Sequence, residues 1–409
     1  MSEKSGLLIT KDIASVNRIL PHKHKFAWDL FLNGCANNWM PTEISMQNDI
    51  KQWKTDEISE DEKLLVKRCL GFFAGSESLV GNNLLLSAFK YITDAECRQY
   101  ILRQAFEESL HNLTVVYICD SLDLDVDEVY RAYETIPSIK AKDDFLMEIT
   151  SDLNRNDFTT DTLEGKKELL KNLFTYYIIC EGTFFFSGFA MLLALGRQNK
   201  LQGVSDQIKY TLRDESIHIK FGTYLINTLI EQNPSIWTKA IQEEFIDHMK
   251  KTVELEIEYA KDVLPTGILG LNAPMFVDYM HYIGNRRLES INLDFRFPSD
   301  ENPFPWLSEV VDTQAMTKYT NRVEQGNFIQ DARLTFQVVA IKTSKRSVSL
   351  PEICNDPKAP EKIDSAMFEK KLAVIRGLKE NLIVLLTLNM NWFNDRVDSA
   401  PMGDLLGNI

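Results

Sequence analysis

An all-α bundle of long helices is the fold class that this sequence predicts. Three observations lead to it. Apolar residues recur at three- and four-residue spacing through five long segments, strand-like alternation is scarce before residue 330, and proline and glycine clusters punctuate the segment ends.

The first periodic segment covers about 61–90 and contains "FFAGSESLVGNNLLL" (72–86). The second, about 95–120, contains "RQAFEESLHNLTVVYIC" (103–119), an apolar helical pattern that nonetheless carries Glu108 and His111 three apart on one face. The third, about 164–196, includes "YYIICEGTFFFSGFAMLLAL" (176–195). That run is long enough to cross a bilayer, but Glu181 lies inside it, and acids within membranes are rare without a functional partner. With partners for Glu181 elsewhere in the chain, the expectation is a buried core helix and no membrane contact. The fourth, about 203–232, carries "RDESIH" (213–218), and the fifth, about 237–262, ends at "VLPTG" (263–267). "NPFPW" (302–306) marks a late extended segment. Composition shifts near residue 326: "LTFQVVAIKTSKRSVSL" (334–350) is β-branched and strand-like, "NDPKAPEK" (355–362) reads as a linker, and a last helical stretch covers about 363–395. The expected organisation is therefore a helical domain over 1–326 and a C-terminal extension of unknown fold over 327–409.

With 409 residues, 44% apolar and 25% charged, the chain has the composition of a soluble globular protein. Its net charge of −14 argues against nucleic acid as a partner, because phosphate contacts need a basic surface. The six cysteines show no CxxC spacing; Cys69, Cys119 and Cys180 lie in apolar helical patterns and read as reduced core thiols of a cytoplasmic protein. The N-terminus has no basic region followed by an apolar stretch, so no secretory signal is expected.

The chemistry lies in a repeated pattern. Glu108 and His111 form Glu-x-x-His, and Glu215 and His218 form it again. Glu77 stands thirty-one residues before Glu108, and Glu181 stands thirty-four before Glu215. Two antiparallel helices joined by a short connection would bring acids at that interval to one level, given the rise of about 1.5 Å per residue. Two such hairpins place four carboxylates and two imidazoles at the centre of a four-helix bundle, the arrangement of ferritin-like di-iron and di-manganese carboxylate proteins. Four ionised acids in an apolar interior would be costly or would stay protonated, whereas two divalent ions balance their charge. Oxygen and imidazole donors suit iron or manganese. Alone, Glu181 would read as a hydrogen-bonded structural acid; the duplication makes it a ligand candidate. Glu107, four residues before His111, competes with Glu108 for the ligand position, and Glu108 is preferred because its spacing matches the second pair. His22, His24, His248 and His281 lack the upstream acid and are left with ordinary roles.

With these residues the chain resembles the small, radical-generating subunit of class I ribonucleotide reductase. The similarity runs over about 12–325 through "NNWMPTEI" (37–44), "SLVGNNLLL" (78–86), "RQAFEESLH", "AKDDF" (141–145), "RDESIH" and "NPFPWLSE" (302–309). The resemblance implies a homodimer that activates O2 at a dinuclear metal site and supplies an oxidising equivalent to a separate large catalytic subunit that makes deoxyribonucleotides. It implies Glu77, Glu108, His111, Glu181, Glu215 and His218 as metal ligands, a relay through His111, Asp214 and Trp39, and an apolar shell including Phe185 and Phe189.

Two departures qualify the resemblance. Four residues after His111, where the family usually has a radical tyrosine, this chain has Val115; Tyr117 points to another helix face. With Glu77 in place of the usual aspartate and Tyr210 five residues before Glu215, the chain resembles the tyrosine-less class Ic subgroup, which implies a Mn/Fe pair, with Fe/Fe as the alternative, and Tyr210 as a relay during O2 activation. The second departure is at the C-terminus: no tyrosine follows Tyr319, Trp392 is the one strongly oxidisable aromatic of the extension, and "GDLLGNI" (403–409) has the character of a docking peptide. Two other functions stand beside the leading one: a stand-alone dimetal oxidase or oxygenase, for which Val115 would leave room beside the metals, and a non-enzymatic metal-storage or interaction protein, which would need no Trp39–Asp214 relay.

Overall fold

The computed structural model describes residues 6–10, 16–150, 152–268 and 270–307, all within one compact unit spanning Met1–Val311. The extension over 327–409, with Trp392 and 403–409, lies outside the described residues. The helices in chain order are α1 (Lys25–Ala36), α2 (Gln47–Trp53), α3 (Glu60–Asn83), α4 (Phe89–Tyr91), α5 (Ala95–Leu122), α6 (Val126–Tyr130), α7 (Ala132–Thr135), α8 (Pro137–Ile149), α9 (Leu163–Leu173), α10 (Phe186–Arg197), α11 (Gln202–Gln232), α12 (Lys239–Val263) and α13 (Ala273–Ser290). Two π-helical stretches, Leu84–Ala88 and Phe174–Phe184, join α3 to α4 and α9 to α10. No strand forms among the described residues.

Local sequence explains where the central helices start. Ser59 and Glu62 form a reciprocal capping box at the head of α3, and the Asp94 carboxylate accepts the Glu96 and Cys97 amides at the head of α5. Leu201 gives α11 no side-chain cap, so the cap comes from a distance: Asp49 on α2 accepts the Gly203 and Val204 amides at 3.0 and 2.8 Å.

α3 packs on α5, and α11 packs on both α10 and the Phe174–Phe184 stretch, giving two helical hairpins around a common interior. Gly222 lets the second hairpin close, since a Cβ there would lie 2.1 Å from Cγ of Tyr177. The continuous helix Leu163–Arg197 is apolar enough to cross a membrane, but its most apolar window is entirely buried, as expected of a core helix. All five expected helical segments are present. α1, α2, α6, α7, α8 and α13 fall outside those segments, and "NPFPW" ends in a short 3-10 turn, Pro305–Leu307, rather than in an extended run.

Candidate metal centre

α3 supplies Glu77, α5 supplies Glu108 and His111, the Phe174–Phe184 stretch supplies Glu181, and α11 supplies Glu215 and His218; all six are buried. Nδ1 of His111 lies 3.0 Å from Glu215 Oε1, 3.4 Å from Glu77 Oε2 and 3.4 Å from Glu108 Oε2. Nδ1 of His218 lies 3.1 Å from Glu108 Oε1, 3.4 Å from Glu215 Oε2 and 3.8 Å from Glu181 Oε2. Two donor groups result: Glu77, Glu108, His111 and Glu215 offer atoms within 4.8 Å of one another, and so do Glu108, Glu181 and His218. Glu108 and Glu215 each face both imidazoles, while Glu77 belongs to one side and Glu181 to the other.

Inside the cluster, Glu77 Oε2, Glu108 Oε2, both Glu215 oxygens and Nδ1 of both histidines have no hydrogen-bond partner. Buried polar atoms are rarely left so, and these converge on a common interior. Burial pushes the Glu77 carboxyl well up, against the pull of His111. Burial, then the Glu215 and Glu108 charges, pushes Glu181 up in the same way. Glu108 moves down: burial opposes its ionisation, but His218 and His111 outweigh it. Burial alone would lower both imidazoles, yet Glu77 and Asp214 hold His111 well above its ordinary value, and Glu215 and Glu108 do the same for His218. The cluster therefore attracts positive charge strongly. Unpartnered oxygen and imidazole donors, two overlapping groups and an electronegative interior fit a dinuclear site for divalent ions.

Each imidazole turns its other nitrogen outward. Nε2 of His218 is 2.9 Å from Glu107 Oε2, and Arg103 donates to the opposite Glu107 oxygen at 2.8 Å. Glu107 thus orients a histidine from outside the cluster, and Glu108 is the one that faces inward. Nε2 of His111 lies 3.5 Å from Asp214 Oδ2. Such outer carboxylates fix imidazole orientation and raise its basicity.

Beyond His111 a contact chain continues outward. The Trp39 indole donates to Asp214 Oδ2 at 2.7 Å, and Arg213 donates to Asp214 Oδ1 and to the Asn37 carbonyl. Burial would raise the Asp214 carboxyl, but His111, Arg213 and Trp39 hold it below its ordinary value. Trp39 is buried and stacks on Tyr210, with ring centroids 5.2 Å apart and planes at 22°; Tyr210 is 39% exposed. His111, Asp214, Trp39 and Tyr210 form one file from the cluster to solvent.

Val115 is buried in the core, and Tyr117 donates to the Ile44 carbonyl instead of pointing inward. Phe185 and Phe189 pack on Phe73 at centroid distances of 5.5 and 5.2 Å, and on each other at 5.9 Å. Sequence reasoning missed Gln104. Its amide donates to both Glu181 oxygens at 3.1 and 3.3 Å while its carbonyl accepts the Tyr177 hydroxyl at 2.9 Å. The signal was available: Gln104 precedes Glu108, and Tyr177 precedes Glu181, by four residues.

A bundle whose central helices converge four carboxylates and two imidazoles is a ferritin-like carboxylate protein. The description "Ribonucleotide reductase, small chain" belongs to the family model that matches residues 16–303. The ribonucleoside-diphosphate reductase subunit beta of Chlamydia pneumoniae is 53% identical over 309 residues, covering 76% of this chain and 89% of that one. The R2 subunit of ribonucleotide reductase from Clostridium botulinum superposes with a TM-score of 0.65 at 29% identity, covering 71% of this chain and 89% of that one. The dimanganese(II)-NrdF of Streptococcus sanguinis shares the fold, with a TM-score of 0.60 at 22% identity over 73% of this chain and 99% of that one. The chain belongs to the ribonucleotide reductase small-chain family. Its enzymatic role is that of a ribonucleoside-diphosphate reductase subunit, whose counterpart is a large catalytic subunit.

Proposed function

We propose that Glu77, Glu108, His111, Glu181, Glu215 and His218 would hold two metal ions, Glu108 and Glu215 each lying near both imidazoles. When bound, the metal pair would react with O2 and supply an oxidising equivalent for nucleotide reduction. The observation that carries the reading is the continuous file from the unpartnered donors through His111, Asp214 and Trp39. Asp214 orients the His111 imidazole and accepts the Trp39 indole proton in a hydrogen bond, so the indole is held ready for oxidation. Tyr210, stacked on Trp39 and reaching solvent, is a second oxidisable ring, suited to conduct electrons during O2 activation. The metallated protein should support deoxynucleotide formation only when mixed with a large catalytic subunit. Oxidation of an organic substrate by the chain alone would favour the stand-alone oxidase instead.

Val115 supports assignment to the tyrosine-less class Ic subgroup, with Mn/Fe preferred over Fe/Fe, because a valine and not a phenol stands four residues after His111. O2-treated protein should show a metal-centred paramagnetic signal, strongest when Mn and Fe are supplied together. A sharp tyrosyl resonance in the wild type would refute this and turn attention to Tyr177 or Tyr210.

The protein acts in the cytoplasm as a homodimer in this reading. Leu102, Phe106, Leu113 and Val116 form an exposed apolar stripe on α5, beside exposed Leu85 and Leu86 of the adjoining π-helical turn. A stripe of that kind commonly marks an interface. Phe106→Glu combined with Leu102→Glu should shift the sedimenting species from dimer to monomer; a monomeric wild type would remove the proposal.

A further inference from the structure

The widened helix that carries Glu181 is held from its outer side by two buried cations. π-Helical turns are rare, occur often at functional sites, and leave backbone groups poorly matched where they meet α-helix. Here the stretch ends at Phe184, one turn past Glu181. Nζ of Lys142, on α8, donates to the Phe184 carbonyl at 3.1 Å, and Nε of Arg287, on α13, donates to the Gly182 carbonyl at 2.6 Å. Lys142 is completely buried and pairs with equally buried Glu256 on α12. Its ammonium also sits 3.3 Å from the ring centre of Phe72 and 4.2 Å from that of Tyr259. A cation so far from water costs free energy that surface placement would avoid, so its position calls for a role. Burial lowers the Lys142 ammonium and takes the Arg287 guanidinium down to about 10. Gly182 leaves room for the Arg287 contact: a Cβ there would lie 3.1 Å from Nε of Arg287 and 2.7 Å from the Tyr177 carbonyl.

We propose that Lys142 and Arg287 are positioning residues of the metal centre: by holding the Phe184 and Gly182 carbonyls, they fix the reach of Glu181 and set the affinity for the ion beside His218. The proposal rests on the ligand assignment above. From the inner side, Gln104 holds the Glu181 carboxylate; from the outer side, α8 and α13 hold its backbone. Glu181 faces the His218 group alone, so loosening its helix weakens one ion and spares the other.

The test is a stepwise titration of the full chain with Mn2+ alone, with paramagnetic resonance separating isolated ions from the coupled pair. In Lys142→Met, Arg287→Met and Gly182→Ala, second-ion affinity should fall on the order of tenfold or more, the usual size of effects from groups outside the ligand set, while first-ion affinity stays within about twofold. Arg287→Lys should restore part of the loss. If Lys142→Met fails to fold because Glu256 is left unpaired, Arg287→Met still decides, since it removes the hydrogen bond to the Gly182 carbonyl directly. Unchanged second-ion affinity in folded Gly182→Ala and Arg287→Met, or equal weakening of both ions, would overturn the proposal. If Glu181→Ala loses the second ion while these variants keep it, only the positioning role falls. If wild-type protein binds no Mn2+, the ligand assignment falls and takes this proposal with it.

Discussion

Glu215→Ala is expected to empty the centre, taking metal content from about two ions per chain to well below one. Glu215 Oε1 and Oε2 face different histidines, so its loss would remove a donor from both sides of the proposed site. Glu181→Ala should be milder in one respect, because Glu181 approaches only His218 and the ion beside His111 keeps Glu77, Glu108 and Glu215. Metal analysis after equilibrium dialysis checks both, and full occupancy in Glu215→Ala would end the assignment. The pH dependence has a defined sign. Without metal, Glu77 and Glu181 titrate well above the ordinary carboxyl range, and His111 and His218 well above the ordinary imidazole range. Each of these groups binds protons more readily than its free counterpart, and incoming ions compete with those protons, so affinity should fall as pH falls, and adding Mn2+ to weakly buffered protein should release protons.

The clustering of the six acids and imidazoles is legible because such residue types are costly in a core. Glu181, alone in an apolar run, and two copies of Glu-x-x-His leave few other physical explanations. What surrounds them was less legible, because it depends on side-chain direction. Spacing already places Glu108 inward, but only the rotation of α5 shows that the adjacent Glu107 reaches the far nitrogen of His218. The π-helical stretch Phe174–Phe184 leaves no trace in the periodicity: the apolar run around Glu181 is buried on every side, so a change in helical period has no polar face to betray it. α8 was missed because Lys142 and Asp143 interrupt its apolar pattern, and the buried partner of Lys142 lies on α12, more than a hundred residues away. In α13, Pro274 suggests a break, but it sits in the first helical turn, where its missing N–H costs nothing.

Trp39→Phe is expected to abolish nucleotide reduction while leaving metal content nearly unchanged. The phenyl ring occupies similar space against Tyr210, but it is much harder to oxidise and has no N–H for Asp214. Asp214 would keep Arg213 and the nearby His111, so the centre itself should survive. The comparison is deoxynucleotide formed per minute with a large subunit in excess, wild type against variant, at matched metal loading. Asp214→Asn should also fail, but with altered metal spectra, because it changes the charge facing His111. That difference separates a conduit from a fold defect: Trp39→Phe must lose turnover with its metal spectra intact. Retained activity in Trp39→Phe would mean that oxidising equivalents leave by another path. Tyr210→Phe then becomes the informative companion. It removes the phenol but keeps the stacked ring, so it should slow O2 activation and leave turnover of already activated protein intact.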